Sequence, residues 1–360
     1  MSLLFRRSLL LAALGALAAC GAARGPEGPD ANRMDSWTAQ LAMLARRPPD
    51  TIPTRWQGLL GEYGPDTTIR WIALERDGRM YVLDHQGNYV PLAETSESVF
   101  QAPVATAVVS GEVRFQRDST GRAQSVQVAD MVMARRAVEP PPGATQLRVT
   151  PVRPLDEIRR EALAATPPVA DSVTRNPDLV DITRLDSTIR LDIRYAGTNN
   201  FLGAPLYEQP RALLQRPAAE ALARANRVLR QFGYALLVHD AYRPWYVTKI
   251  FWEATPPAQK WLVANAAQGS KHNRGAAVDL TLYDLEARRP VAMPSTYDEA
   301  TVRARADYPG GTSLQRHHRE ILRRVMVREG FVVNPTEWWH FDYKDWKSYP
   351  ILNVPFAEIR

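Results

Sequence analysis

Two short polar motifs that lie far apart in the chain constrain its fold more than any other feature. The first, SKHNRGAAVD at residues 270–279, carries His272 and Asp279, and the second, EWWH at residues 337–340, carries His340. Imidazole and carboxylate groups are good zinc ligands, and a catalytic zinc site has three protein ligands and one open position. Each motif alone is weak evidence, because a single histidine is more often structural. Together they predict one zinc ion per chain, and the fold must then bring the two segments into contact.

The residues around Asp279 are typical of a strand with one buried face. Apolar Val278 and Leu280 flank Asp279, so the carboxylate is expected on the opposite face, toward a cleft. Glu337 lies three residues before His340, which places a second carboxylate near the metal. There it could accept a proton from a water molecule whose pKa the zinc ion lowers.

The rest of the chain divides into regions of different pattern. Its 360 residues are enough for two ordinary domains. Residues 50–136 contain short β-rich runs separated by turns and predict a small all-β domain. A proline-rich stretch opens a linker over residues 137–178, in which a short helix is expected near residues 155–165. Residues 179–360 alternate helices and strands, with helices expected near 217–232 and 314–329. They predict an α+β domain with a central antiparallel sheet and flanking helices.

Residues 1–20 are typical of an export signal. Arg6 and Arg7 precede an apolar run at residues 9–19 that is too short to span a bilayer. The run ends in LAAC and resembles the lipobox of bacterial lipoproteins, which implies that Cys20 is acylated. The alternative is an incidental cysteine behind an ordinary signal peptide. We therefore expect an exported chain, lipid-anchored to the cell envelope, on the periplasmic side in a Gram-negative cell, with residues 21–49 as a tether.

The charge and the remaining polar residues narrow the classes of function. The formal charge of +6 suits nucleic acid, anionic lipid or anionic cell wall. The basic residues form no dense run and the chain is expected to be exported, so no nucleic-acid partner is predicted. Cys20 is the only cysteine, and its acylation would leave no nucleophile for cysteine-protease chemistry. His85, His317 and His318 are expected at the surface.

Three further motifs complete the pattern: DIRYA at residues 192–196, NFLG at 200–203 and DAYRP at 240–244. With the two metal motifs, they resemble the D-alanyl-D-alanine dipeptidases of the vancomycin-resistance type, within the D-Ala-D-Ala metallopeptidase superfamily. The resemblance covers about residues 179–350. It implies a zinc peptidase domain and zinc-dependent hydrolysis of D-alanyl-D-alanine to two D-alanines, in cell-wall peptide metabolism or glycopeptide resistance.

The resemblance also implies a function for individual residues. His272, Asp279 and His340 match the family's zinc ligands, Glu337 matches its catalytic base and Arg243 matches its transition-state stabiliser. A guanidinium group offers fixed donors to an oxyanion that develops on the scissile carbonyl. The substrate-binding positions match Asp298, Ser270 and Tyr195, with Asp298 as the acid that meets the free amine. After Asp298, residues 299–310 depart from the family's pattern.

Two alternatives remain open at the level of sequence. A D,D-carboxypeptidase or endopeptidase acting on longer peptidoglycan peptides would use the same metal chemistry. A non-catalytic, zinc-containing lipoprotein that binds the wall would not need both Glu337 and Arg243, and the chain has both. The β-domain is a candidate for contact with the cell wall, or it serves only as a spacer from the membrane.

Overall fold

The computed structural model describes residues 31–65, 71–103, 111–136, 147–169 and 173–359. The predicted export signal and Cys20 lie outside the described residues. The described residues up to Ala42 and those from Met43 onward belong to separate compact units. The described part of the predicted tether contains helix α1 (Ala31–Arg46). Within the described ranges, no helix combines the length and the apolar character needed to cross a membrane.

An eight-stranded antiparallel meander, which we call the N-terminal sheet, occupies the first half of the larger unit, after the short helix α2 (Thr54–Gln57). Its strands are β1 (Gly61–Tyr63), β2 (Trp71–Arg76), β3 (Arg79–Asp84), β4 (Tyr89–Ser96), β5 (Val99–Ala102), β6 (Gly111–Arg117), β7 (Ala123–Val128) and β8 (Met131–Ala134). Tyr63 bridges Arg135, and the Arg136 amide donates to the Glu62 carbonyl at 2.8 Å. The sheet therefore closes on itself, and fully buried side chains such as Phe100 and Val126 fill its interior.

A second sheet is the centre of the C-terminal half. In spatial order its strands are β10 (Arg190–Leu191), β12 (Tyr234–Asp240), β13 (Ala277–Asp284), β16 (Glu337–Tyr343) and β15 (Phe331–Asn334), with β14 (Arg289–Pro290) on β13. The pairings are antiparallel except for the parallel pair β10 and β12. A separate antiparallel pair joins β9 (Leu179–Asp181) to β11 (Leu213–Gln215). The mixed α/β architecture with antiparallel sheets agrees with the prediction.

The helices of the C-terminal half are α3 (Leu155–Ala164), α4 (Ile182–Leu185), α5 (Arg216–Arg230), α6 (Trp245–Ala254) and α7 (Ser313–Arg328). Two of them, α5 and α7, end where the sequence signals predict. Helix α5 has Pro217 in its first turn and is followed by Gly233 at φ 84°. Helix α7 begins with a capping box between Thr312 and Gln315 and is followed by Gly330 at φ 90°. The predicted helices near 155–165, 217–232 and 314–329 are confirmed.

The prediction of surface positions for His317 and His318 is wrong. Each keeps only 8% of its surface exposed. Both lie on the face of α7 that also buries Ile321 and Leu322, because residues three and four apart share one side of a helix. His85, by contrast, is exposed.

Candidate metal and catalytic site

Strand register brings the two metal motifs together. In the central sheet Asp279 of β13 lies opposite His340 of β16 on one side and opposite Asp240 of β12 on the other. His272 belongs to a single 3-10 turn, His272–Arg274, which ends at Gly275 with φ 62° before the chain enters β13. A Cβ on Gly275 would lie 2.3 Å from a Leu179 methyl carbon, so this close turn needs glycine. Two segments distant in sequence thus meet at adjacent strands.

Three potential ligand atoms converge at this place. His272 Nε2 lies 3.1 Å from His340 Nδ1 and 3.4 Å from Asp279 Oδ1, and His340 Nδ1 lies 2.9 Å from Asp279 Oδ1. All three residues are buried. Donors arranged tetrahedrally at zinc–ligand distances of about 2.0–2.1 Å would be about 3.3 Å apart from one another. The cluster could therefore hold a metal ion.

Hydrogen bonds on the outer side of each histidine select the ring nitrogen that faces the cluster. His272 Nδ1 lies 2.7 Å from the Ala241 carbonyl oxygen, so it carries the proton and Nε2 keeps its lone pair. His340 Nε2 lies 2.9 Å from Asp342 Oδ1, which leaves Nδ1 as the inward atom. Asp342 also pairs with Lys271 at 2.5 Å. Our sequence reasoning missed Asp342, although its position two residues after His340 on a strand places it on the same face.

The electrostatics of the cluster favour positive charge at its centre. Burial opposes protonation of His340, but hydrogen bonds to Asp279 and Asp342 raise its pKa to about 10. Burial likewise opposes ionisation of Asp279, yet the neighbouring His272 and His340 lower its pKa below the ordinary value. A site that stabilises positive charge between buried carboxylates suits a divalent cation.

Glu337 lies beside the three donors. Its Oε2 is 3.9 Å from His340 Nδ1 and accepts a hydrogen bond from Asn334 Nδ2 at 2.9 Å. Burial raises the pKa of Glu337, His340 opposes the rise and the Asp279 carboxylate adds to it. The side chain is still 39% exposed. Water can therefore reach this carboxylate, which is the condition that a general base at the metal must meet.

Arg243 is held in a fixed orientation next to the cluster. Its Nε and Nη2 donate to Asp240 Oδ2 at 3.0 and 2.6 Å, which leaves Nη1 outside this contact. The guanidinium carbon lies 5.2 Å from the centre of the Tyr195 ring and 4.8 Å from that of Phe251. Burial opposes the charge of Arg243, but Asp240 and other neighbours raise its pKa well above the ordinary value. The cation is thus permanent, and Asp240, which sequence reasoning did not single out for this contact, orients it.

Two of the three predicted substrate-binding residues meet. The Tyr195 hydroxyl donates to Asp298 Oδ2 at 3.0 Å, and Asp298 adopts a φ of 57°. Burial raises the pKa of Asp298 to about 8, and the charge of Asp279 contributes. Ser270 instead accepts a hydrogen bond from the His272 amide at 3.3 Å, so it supports the turn that carries a potential metal ligand.

Tyr297 is a further site residue that sequence reasoning missed. Its hydroxyl donates to Asp279 Oδ2 at 3.0 Å, and its ring stacks on His239 with centroids 4.7 Å apart. Its position directly before Asp298 was the available signal. Tyr297 therefore links the segment that carries Asp298 to the metal cluster.

Comparison with known proteins identifies relatives of the C-terminal half. Residues 175–358 match the family model described as D-ala-D-ala dipeptidase. The chain is 34% identical over 180 residues to the D-alanyl-D-alanine dipeptidase of Escherichia coli. This alignment covers 50% of the chain and 92% of that protein. It is 32% identical over 187 residues to the D-alanyl-D-alanine dipeptidase of Enterococcus faecalis, which covers 47% of this chain and 92% of that protein. The similarity to the enzyme of the same name from Enterococcus faecium is 32% over 180 residues, with 45% of this chain and 89% of that protein covered.

Proposed function

Because the chain belongs to the D-ala-D-ala dipeptidase family of peptidases, we propose that it hydrolyses D-alanyl-D-alanine to two D-alanines with one zinc ion. The observation that carries this proposal is the convergence of His272, Asp279 and His340, with the Glu337 carboxylate 3.9 Å from His340 Nδ1. Two imidazoles and one carboxylate, with a further carboxylate that does not serve as a ligand, are the parts that a hydrolytic zinc site needs.

The residues around the metal divide the chemistry among them. A bound zinc ion would supply Lewis-acid polarisation of the scissile carbonyl and activation of the attacking water. Glu337 accepts the proton of that water, and its raised pKa brings it closer to the value that suits a base working near neutral pH. Arg243, held by Asp240, stabilises the negative charge that develops on the carbonyl oxygen.

Asp298 and Tyr195 are proposed to bind the free amine of the dipeptide. The Asp298 carboxylate is anchored by the Tyr195 hydroxyl, so its position does not depend on substrate. The substrate's ammonium group would lower the pKa of Asp298 from about 8 and so favour its ionised form, since an opposite charge favours the charged form. Requirement for a free amine at this point would favour a dipeptide over a longer peptide.

The test is an assay of D-alanine release from D-alanyl-D-alanine and, in parallel, from a pentapeptide wall precursor. We expect the metal-loaded protein to prefer the dipeptide, and the His340→Ala variant to lose most of its metal and its activity. Equal or faster cleavage of the pentapeptide would assign a D,D-carboxypeptidase instead. Hydrolysis of neither substrate by protein with full metal content would favour a non-catalytic wall-binding lipoprotein.

The cellular setting is a separate proposal, supported by residues 1–20 alone. We propose export and acylation at Cys20, which would place the enzyme at the cell envelope. Glycopeptide resistance, scavenging of wall peptides and wall turnover all require the same reaction.

A further inference from the structure

The N-terminal sheet contacts the part of the chain that follows Asp298. We call residues 299–312 the docking segment. Leu74 of β2 forms a parallel bridge with Gly311, and the Glu75 amide donates to the Gly311 carbonyl at 3.1 Å. The end of the docking segment therefore pairs directly with a strand of the N-terminal sheet.

Glu75 is the first polar anchor of this contact and is only 1% exposed. Its Oε2 accepts the Ser313 amide at 2.7 Å, and its Oε1 accepts the Ser313 hydroxyl at 3.1 Å and the Gly78 amide at 2.7 Å. A carboxylate at the first turn of α7 is also favoured by the helix dipole. Arg316 adds a bond to the Glu75 carbonyl at 2.7 Å. A side chain of the N-terminal sheet thus helps to fix the start of α7.

Glu62 of β1 is the second anchor and is 3% exposed. The Tyr308 hydroxyl of the docking segment lowers the pKa of Glu62, against the rise that burial causes. Burial raises the pKa of both Glu62 and Glu299, and the charge of Arg303 opposes the rise in each. Arg303 Nε lies 3.6 Å from Glu299 Oε1 within the docking segment, and its charge also lowers the pKa of Glu62 in the sheet.

The docking segment is tied in turn to the residues that precede Asp298. Arg303 donates twice to the Pro294 carbonyl, at 2.8 and 3.1 Å, and Glu299 Oε2 accepts the Thr296 amide at 3.2 Å. Tyr297 and Asp298 lie in the chain between Thr296 and Glu299, which are joined by this hydrogen bond. The positive φ of Asp298 is uncommon for a residue with a Cβ, and such a conformation persists where the surroundings hold it.

The packing between the docking segment and the N-terminal sheet is not continuous. A cavity of about 330 Å³ and another of about 300 Å³ lie beside it. Both cavities are lined by residues of the segment and of the region that includes the sheet, among them Leu60, Ile72, Leu83, Val302, Arg303 and Tyr308. Where these spaces lack packed neighbours, the buried polar contacts of Glu75 add to the attachment of the segment.

We infer that the N-terminal sheet positions the substrate-binding edge of the site, with Glu75 and Glu62 as the positioning residues. The path runs from the sheet through the docking segment to Tyr297 and Asp298. This inference rests on the proposed function, in which Asp298 binds the free amine of the substrate. It assigns to the N-terminal sheet a part in substrate recognition by the same site.

The kinetic test uses the full chain and two variants that weaken different anchors. Glu75→Ala removes the acceptor for Ser313 and Gly78, and Tyr308→Phe removes only the hydroxyl that meets Glu62. We expect KM for D-alanyl-D-alanine to rise about tenfold in Glu75→Ala and less in Tyr308→Phe, with kcat within about twofold and metal content unchanged, because a misplaced amine site weakens binding in ground and transition states alike. The control, Glu112→Ala, removes an exposed carboxylate of the same sheet that pairs with Arg114 at 2.6 Å.

The second measurement is hydrogen–deuterium exchange, which needs no substrate. Faster exchange at residues 296–298 as well as at 299–312 in Glu75→Ala, with no change in Glu112→Ala, is the expected result. An unaltered KM in both anchor variants, or faster exchange limited to the start of α7, would overturn the inference. If Glu75→Ala does not fold, KM and exchange measured in Tyr308→Phe test the inference instead. If the wild-type protein releases no D-alanine, the proposed function is wrong, but the inference that the N-terminal sheet positions residues 296–298 is not tested by that result. Unaltered exchange at residues 296–298 in the variants would overturn this inference whether or not the protein is active.

Discussion

At the scale of single residues, His340 illustrates how neighbours set the properties of a potential metal ligand. Its ring lies between Asp279 at one nitrogen and Asp342 at the other, both at 2.9 Å. Asp342 therefore fixes which nitrogen faces the cluster and increases the basicity of that nitrogen. The pair formed by Lys271 and Asp342 keeps the outer carboxylate in place.

The first prediction concerns this outer carboxylate. Asp342→Asn keeps the shape of the side chain but removes its charge, so zinc affinity should fall about 10- to 100-fold. Competition with a chromophoric chelator measures the affinity. Asp345→Asn is the matched control. Asp345 lies three residues after Asp342 and, like it, pairs with a basic side chain, but its partner is Arg175 at 3.1 Å and not a residue of the cluster. Equal affinities in the two variants would show that Asp342 does not support the ligand.

The second prediction separates base from ligand at Glu337. Glu337→Gln removes the proton acceptor and keeps the volume, so turnover should fall about a hundred- to ten-thousand-fold while zinc stays bound. Steady-state kinetics and elemental analysis of the same sample give both values, with exposed Glu286→Gln as the control. Loss of zinc would make Glu337 a ligand, and near-normal turnover would assign the base to another residue.

At the scale of secondary-structure elements, helix α7 has polar side chains on its buried face, among them His317 and His318. His318 Nδ1 lies 3.1 Å from the Ala292 carbonyl oxygen, whereas His317 Nε2 has no hydrogen-bond partner among the described residues. Burial lowers the pKa of His317 from 6.5 to about 4, and His318 contributes. The folded state therefore keeps this ring neutral.

The third prediction follows from that lowered pKa. Between pH 6.5 and 4, His317 binds a proton in the unfolded chain but not in the folded chain. The contribution of His317 to the free energy of unfolding is therefore fully present above pH 6.5 and is lost as the pH falls toward 4. Urea unfolding measures the free energy of unfolding of wild type and of His317→Leu at pH 7.5 and at pH 5. The decrease in this free energy from pH 7.5 to pH 5 should be smaller in His317→Leu by on the order of 1 kcal/mol. The control is His85→Leu at an exposed histidine. An identical pH dependence in His317→Leu would refute the prediction.

At the scale of the whole molecule, the relatives account for only half of the chain. The family match begins at residue 175, after the N-terminal sheet and α3. The chain therefore combines a dipeptidase-family region with an N-terminal sheet whose buried Glu75 bonds to the start of α7, directly after the docking segment. The predicted export signal would add attachment to a membrane at the other end of this arrangement.

The fourth prediction tests that attachment. Acylation at Cys20 would direct the protein to the detergent phase in a phase-partitioning experiment on expressing cells, because several acyl chains bind membranes stably. Cys20→Ser should move the protein to the aqueous phase, and His85→Leu, which leaves the first twenty residues intact, should partition as wild type does. Unchanged partitioning of Cys20→Ser would defeat the lipoprotein hypothesis.

The amino-acid sequence by itself determined the features that depend on near neighbours. The alternation around Asp279 predicted its strand, and Pro217, Gly233 and Gly330 predicted the limits of two helices, because such signals act within one turn or one strand. The three potential metal ligands could also be chosen from residue type and local motif. Their convergence within 3.4 Å agrees with that choice.

Only the tertiary structure decided the contacts between distant parts of the chain. The pairing of Arg243 with Asp240 beside the metal cluster, the bond from Tyr297 to Asp279 and the burial of His317 each depend on strand register or on the face of a helix that packs inward. Glu75 and Ser313 are 238 residues apart, and no local pattern links them. A chain's short-range preferences set its elements, whereas the topology that packs those elements sets which side chains meet.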